Sequence, residues 1–206
     1  MNKTQKTTDS IRKMTVLAIL AAIIVVLQCF CSVLTIPGFN VAITLTLVPI
    51  LVGAAIYGIS AGAFLGAVFG VVVLVTDPTA AMLMTQNLIA TAVLCIGKGV
   101  LAGAAAGAVY KLLTFKSKSQ ARQLLGVILG GIAAPIANTG SFVLGMVLFF
   151  KDTIYGWSSA SGSPSFLYYV LIGLCGVNFV VELFVNLILS TGIVTIIKAV
   201  GLSRNR

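Results

Sequence analysis

Residues 41–76 read VAITLTLVPILVGAAIYGISAGAFLGAVFGVVVLVT, an apolar run without a single charged side chain. As one α-helix these 36 residues would extend about 54 Å at 1.5 Å per residue, whereas the hydrocarbon core of a bilayer is about 30 Å thick. The run is therefore expected to cross twice, with a tight turn near Tyr57 and Gly58. That reading makes lipid the solvent, and the composition agrees. The 206 residues are 59% hydrophobic and 8% charged, against about 25% charged in soluble domains. Four acids, Asp9, Asp77, Asp152 and Glu182, cannot cover a water-exposed surface of this size.

Working outward from this hairpin, Met14 to Leu34 is a further uncharged run long enough to span. Beyond Asp77 and Pro78 the chain is apolar to Leu113, interrupted by Lys98 and Lys111, and a basic, polar stretch then runs to Arg122. Two further apolar segments flank a Gly/Ser/Pro-rich connection that carries the only tryptophan, Trp157. The expectation is an all-α integral membrane protein, a single domain over 1–206 with six spans at about 14–34, 41–57, 59–76, 80–112, 124–150 and 166–198. The longer spans are tilted or extend past the core.

Basic residues near span ends stay cytoplasmic. With six spans, Lys3, Lys6, Arg12, Lys13, Lys111, Lys116, Lys118, Arg122, Lys198, Arg204 and Arg206 share one face, eleven of the thirteen Lys and Arg residues. Both termini are thus expected in the cytoplasm. The net charge of +9 follows from this topology, so nucleic-acid binding is not inferred from it.

The same inventory removes most chemistry. Without histidine, neither a Ser/His/Asp or Cys/His nucleophile nor an imidazole metal site can be built. Glu182 is the one acid inside an apolar segment, so a carboxylate dyad at membrane depth is excluded. Gly97-Lys98-Gly99 is not a phosphate loop, because Ala92 stands where glycine is needed and Gly99 where Ser or Thr is needed. No catalytic residue, metal or cofactor is expected. Cys29, Cys31, Cys95 and Cys175 read as buried thiols. Gln28 before Cys29 argues against a lipoprotein cleavage site, leaving an uncleaved first span.

Glycines recur every four residues at 58, 62, 66 and 70, and again at 99, 103 and 107, marking smooth stripes where helix backbones approach closely. Against this apolar background the polar residues stand out as functional candidates. Asn178, Glu182, Asn186 and Ser190 are spaced by four on one helix face. Glu182 and Lys98 both fall near mid-depth, and two readings are open: they pair with each other, bridged by Asn186, or one of them meets a ligand. Asn138, Thr139 and Ser141 follow Pro135, whose missing N–H frees the Gly131 carbonyl, as Pro49 would free that of Leu45. Gln86 and Asn87 lie near the outer end of the fourth span.

Taken together, the basic amino terminus, Ala18-Ile-Leu-Ala-Ala22, the Gly-rich third helix, Gly99-Val-Leu-Ala-Gly103, Asn138-Thr-Gly-Ser-Phe142 and Gly176-Val-Asn-Phe-Val-Val-Glu182 resemble the substrate-binding S component of energy-coupling factor (ECF) vitamin transporters. The resemblance covers nearly the whole chain. It implies a six-helix bundle of the bacterial cytoplasmic membrane that binds a vitamin near its outer face. It also implies a transmembrane coupling subunit, docked on the Ala18 and Ala22 face, and two cytoplasmic ATPases that supply energy. Substrate-binding candidates are Gln86, Asn87, Lys98, Asn138, Trp157, Asn178 and Glu182. The nickel and cobalt members use an amino-terminal histidine site, which is absent here, so an organic nutrient is favoured. Lys98 would balance a carboxylate, and the amide-rich, aromatic-poor candidates favour pantothenate, with riboflavin as the alternative if Tyr155 and Trp157 stack on a flavin. A self-contained channel or scaffold is the reading from another class.

Overall fold

In the computed structural model, residues 3–32, 45–115 and 119–204 are described. The expected span residues 33–34 and 41–44, and the basic residues Lys116, Lys118 and Arg206, lie outside them. Among the described residues the regular structure is helical throughout. Helix α1 (Lys3–Cys31) is followed by α2 (Leu47–Tyr57), α3 (Ile59–Thr76), the short α4 (Pro78–Met84), α5 (Leu88–Thr114), α6 (Gln120–Phe149) and α7 (Lys151–Ala160). A single turn, α8 (Phe166–Tyr168), then widens into a π-helical segment, Tyr169–Leu174, before α9 (Gly176–Arg204). Five helices are long and apolar enough to cross a membrane: Thr7–Cys31, Ile59–Thr76, Leu88–Thr114, Gln120–Phe149 and Phe166–Ala199.

The 41–76 run folds back at Gly58, which closes α2 and opens α3 with φ at 88°. Only glycine enters that left-handed region at no steric cost. Helix α2 itself, at eleven residues, is about 16 Å long and shorter than a crossing. Pro49 sits in its first turn, where an N–H would have no intrahelical partner in any case. The Leu45 carbonyl therefore loses nothing to Pro49, contrary to the expectation of a break inside a longer helix.

The two glycine stripes meet each other. Helices α3 and α5 run antiparallel, with Gly62 against the Gly103 carbonyl, Gly66 against that of Gly99, and Gly70 against Cys95 and Ile96. A Cβ at Gly66 or Gly99 would overlap the opposite backbone. Helix α6 continues the antiparallel order along α5, with Gly126 at Tyr110, Gly130 at the Ala106 carbonyl and Gly145 at Leu94. Leu47, Ile50, Leu51, Leu65, Phe69 and Ile193 fill the main core between these backbones. A second cluster of Leu83, Leu94, Met146, Phe150, Ile154 and Val170 joins α4 and α7 to the bundle end. Cys31, Cys95 and Cys175 are buried as expected, whereas Cys29 is exposed, since its position on α1 falls off the inward stripe that carries Cys31. The outward surface is apolar, as lipid requires: Val75, Ile89, Leu112 and Ile188 are among its most exposed side chains.

Alanine at Gly66 or Gly99 must push two backbones apart, and overpacking of this kind costs about 1–3 kcal/mol. Gly192 has nothing within 4 Å of where a Cβ would stand, so Gly192→Ala should be neutral or stabilising by up to about 1 kcal/mol. Thermal unfolding in detergent, followed by size-exclusion chromatography, checks the contrast. Equal midpoints for Gly66→Ala and Gly192→Ala would show that the seam is not tight.

Candidate functional site

The α6–α9 seam gathers the polar stripe. An ionised carboxylate in an apolar interior is tolerated only when donors surround it, and Glu182, 2% exposed, has them. Asn138 Nδ2 of α6 donates to its Oε1 at 3.3 Å and approaches Oε2 at 3.5 Å. Asn178 Nδ2, one turn earlier on α9, donates to Oε1 at 3.2 Å. The i, i+4 spacing read from the sequence puts Asn178 and Glu182 on one face, and the antiparallel α6 brings Asn138 to them.

Four residues further along α9, Asn186 turns to a different partner. Pro135 cannot donate to the Gly131 carbonyl, and Asn186 Nδ2 supplies the missing bond across the helix interface at 3.1 Å. Gly131 makes this possible, since a Cβ there would stand 3.2 Å from that of Asn186. The expected bridging role of Asn186 between Lys98 and Glu182 is thus replaced by a repair of the α6 backbone.

Lys98 also differs from the pairing considered for it. Its ammonium lies over the Phe142 ring at 4.7 Å from the centroid and near the Phe69 ring at 6.0 Å, within cation–π range. It is the asparagine amides that touch Glu182. Cys175, buried, belongs to the second apolar cluster, against which Phe142, the ring beneath Lys98, also packs.

This region adjoins the break in the last span. The sequence reads as one helix over 166–198, but the chain is π-helical over Tyr169–Leu174 and Cys175 leaves helical geometry at φ −126°. Such widened turns occur often at functional sites. Gly173 lets the Tyr169 ring lie across it, and Gly176 comes close to the Leu171 carbonyl. These two glycines flanking Cys175 were the available signal for the break.

The remaining candidates have other contacts or stand on the surface. Asn87 caps α5, its side chain accepting from Ala90 N at 3.0 Å, and Gln86 Oε1 accepts from the Thr153 hydroxyl of α7. Trp157 packs on the second apolar cluster, and Tyr155 stacks on Phe166 with ring centroids 4.4 Å apart. Ser141 donates to the Ala137 carbonyl of its own helix. Ala18 and Ala22 are exposed on α1, opposite the buried stripe of Leu20, Ile24, Gln28 and Cys31.

Sequence reasoning passed over the burial of Gln28. Gln28 is 0% exposed and neither of its amide atoms has a hydrogen-bond partner. It is the only side-chain amide in the first apolar run, which was the signal for it. Asn138 Oδ1 and Asn186 Oδ1 are likewise buried without a partner.

Comparison with known proteins places this geometry in context. The profile of a family described as "ECF transporter, substrate-specific component" matches residues 12–197. The chain is also 31% identical over 193 residues to the pantothenic acid transporter PanT of Lactococcus lactis subsp. cremoris (strain MG1363), covering 87% of this chain and 90% of that one.

The Asn186 bond can be tested without any ligand. Asn186→Leu leaves the Gly131 carbonyl buried and unpaired, at a cost of about 1–3 kcal/mol. Adding Pro135→Ala restores an N–H for that carbonyl, so the double variant should unfold at a higher temperature than Asn186→Leu alone. Strict additivity of the two substitutions would argue against the exchange.

Proposed function

We propose that this chain, which belongs to the family of substrate-specific components of ECF transporters, binds pantothenate for uptake and performs no catalysis of its own. The support is the pantothenic acid transporter with which it aligns over most of its length, joined to the amide–carboxylate cluster beside a cation. Pantothenate carries a carboxylate, an amide and two hydroxyls. Lys98, held over Phe142, offers the cation for the first, and Asn138, Asn178 and Glu182 offer hydrogen-bonding groups for the others. Of the rings a flavin would need, Trp157 packs against the second apolar cluster and Tyr155 has one face taken by Phe166, so the two do not stand as an open pair for a flavin.

The proposed topology is six spans with both termini in the cytoplasm. It draws on the eleven basic residues that such a topology collects on one face. The candidate site then falls in the outer half, with Gln86, Asn87 and Trp157 at the outer end, where they would shape entry. Energy would come from a transmembrane coupling subunit and two ATPases, the first docking on the exposed Ala18 and Ala22 of α1, where small side chains permit close helix approach.

Native mass spectrometry of protein purified from rich medium should show co-purified pantothenate. Lys98→Met removes a charge-assisted bond worth about 1.5–3 kcal/mol and should weaken pantothenate binding about 10- to 150-fold. A different bound vitamin, or parental affinity in Lys98→Met, would overturn the substrate or the role of Lys98 respectively. Replacing both Ala18 and Ala22 by Trp should abolish uptake while leaving binding to the isolated protein intact. Uptake at the parental rate would remove that face from the docking surface.

A further inference from the structure

Two asparagines on the α6–α9 seam are oriented in the same sense by unrelated partners. Asn138 donates through Nδ2 to Glu182, and Asn186 donates through Nδ2 to the carbonyl that Pro135 leaves free. Each residue is at least nine-tenths buried, at 4% and 1% exposure. In each the carbonyl oxygen, Oδ1, is buried and accepts no hydrogen bond. An amide with both its donor and its acceptor open could serve a ligand in either direction. Here Nδ2 of each amide is directed to a partner within the protein, and the oxygen on the other side of each amide is left as an unpaired acceptor. Glu182, which holds Asn138, stands one helical turn before Asn186 on α9.

We infer that Glu182 acts as a positioning residue that turns the Asn138 amide so that its Oδ1 accepts from the ligand, and that the α6–α9 seam therefore selects a small molecule by neutral hydrogen-bond donors, alcohol hydroxyls or an amide N–H. The inference rests on the vitamin-binding reading above and deepens it: anionic recognition belongs to Lys98, and donor recognition to the asparagine oxygens. A carboxylate presented to these two oxygens would meet acceptors and be rejected, because an unpaired buried acceptor facing another is penalised rather than bonded. Burial of both oxygens makes the selection steep. A ligand lacking the donor leaves them unpaired, which is the situation in which hydrogen-bonding sites discriminate most strongly.

The test uses the full chain in lipid nanodiscs and calorimetric titration with pantothenate, its di-O-methyl ether and pantothenyl alcohol. The parent should bind the ether at least about tenfold more weakly than pantothenate, whereas pantothenyl alcohol, which keeps every donor, should lose only what Lys98 contributes. Asn138→Leu should weaken pantothenate binding by a similar factor. The charge-conserving exchange N138D/E182Q moves the carboxylate to α6 and the amide to α9. The amide can then donate back across the seam while an acceptor oxygen stays in place on α6, so the exchange should recover at least about threefold of the loss seen in Asn138→Leu. If Asn138 instead donates to the ligand, the exchange is as damaging as Asn138→Leu or worse, which would overturn the inference, as would equal parental affinity for pantothenate and its ether. A parent chain that binds another vitamin in place of pantothenate defeats the substrate assignment alone. The comparison of Asn138→Leu with N138D/E182Q then decides the inference with that vitamin as the probe.

Discussion

A polar group that this chain takes below its apolar surface is costly unless it finds a partner within the chain, because lipid supplies none. Glu182 shows the constraint at its strictest. A carboxylate at 2% exposure is kept because two amides from two helices reach it, and those helices are consequently held in a fixed register. The same constraint explains Asn186, which answers the carbonyl freed by Pro135. Both solutions consume donors. The side-chain oxygens of Asn138 and Asn186 are left unpaired on the seam, an orientation that arises from the way the backbone and the charge are satisfied.

Close helix packing is the second requirement, and the chain meets it with small residues. Between α3 and α5 glycine faces glycine, so main chain touches main chain. The gain is dispersion contact over a long interface where lipid offers no hydrophobic driving force for helix association. Ala18 and Ala22 show a small-residue pattern on a different side of the fold. Helix α1 buries one stripe, through Leu20, Ile24, Gln28 and Cys31, and leaves the alanines outward. One pattern of small residues thus serves the interior of the bundle, while the other remains available at its periphery.

The break at Tyr169–Cys175 lets the last span combine two tasks. The α9 portion presents Asn178, Glu182 and Asn186 at regular helical spacing, whereas the widened turn before it joins α8 and the second apolar cluster. Cys175, at the junction, belongs to the same apolar cluster against which Phe142, the ring beneath Lys98, packs. The seat of Lys98 and the irregular backbone therefore meet at one cluster, and a helix that ran straight through Gly173 and Gly176 would have had a different phase below them.

Sequence alone determined the solvent, the helical class, the reversal within 41–76, the two glycine stripes and the polar face of the last helix. These follow from hydropathy, length and period, which are sums over many residues and survive the loss of any one. It also identified the Gly131 carbonyl as orphaned, since that depends only on Pro135 four residues on. What only the tertiary structure decided was which group answers which. Lys98 and Glu182 sit at compatible depths, yet the ammonium rests on Phe142 while asparagines hold the carboxylate. Asn186 was in register for that pair but bonds Gly131 instead. Gln28 gave its type and no environment, and the helix break at Cys175 left only two glycines as a trace. Hydrogen-bond partners are chosen within a few tenths of an ångström and a few tens of degrees, and such positions are set by how α5, α6 and α9 pack against one another rather than by any spacing along one of them.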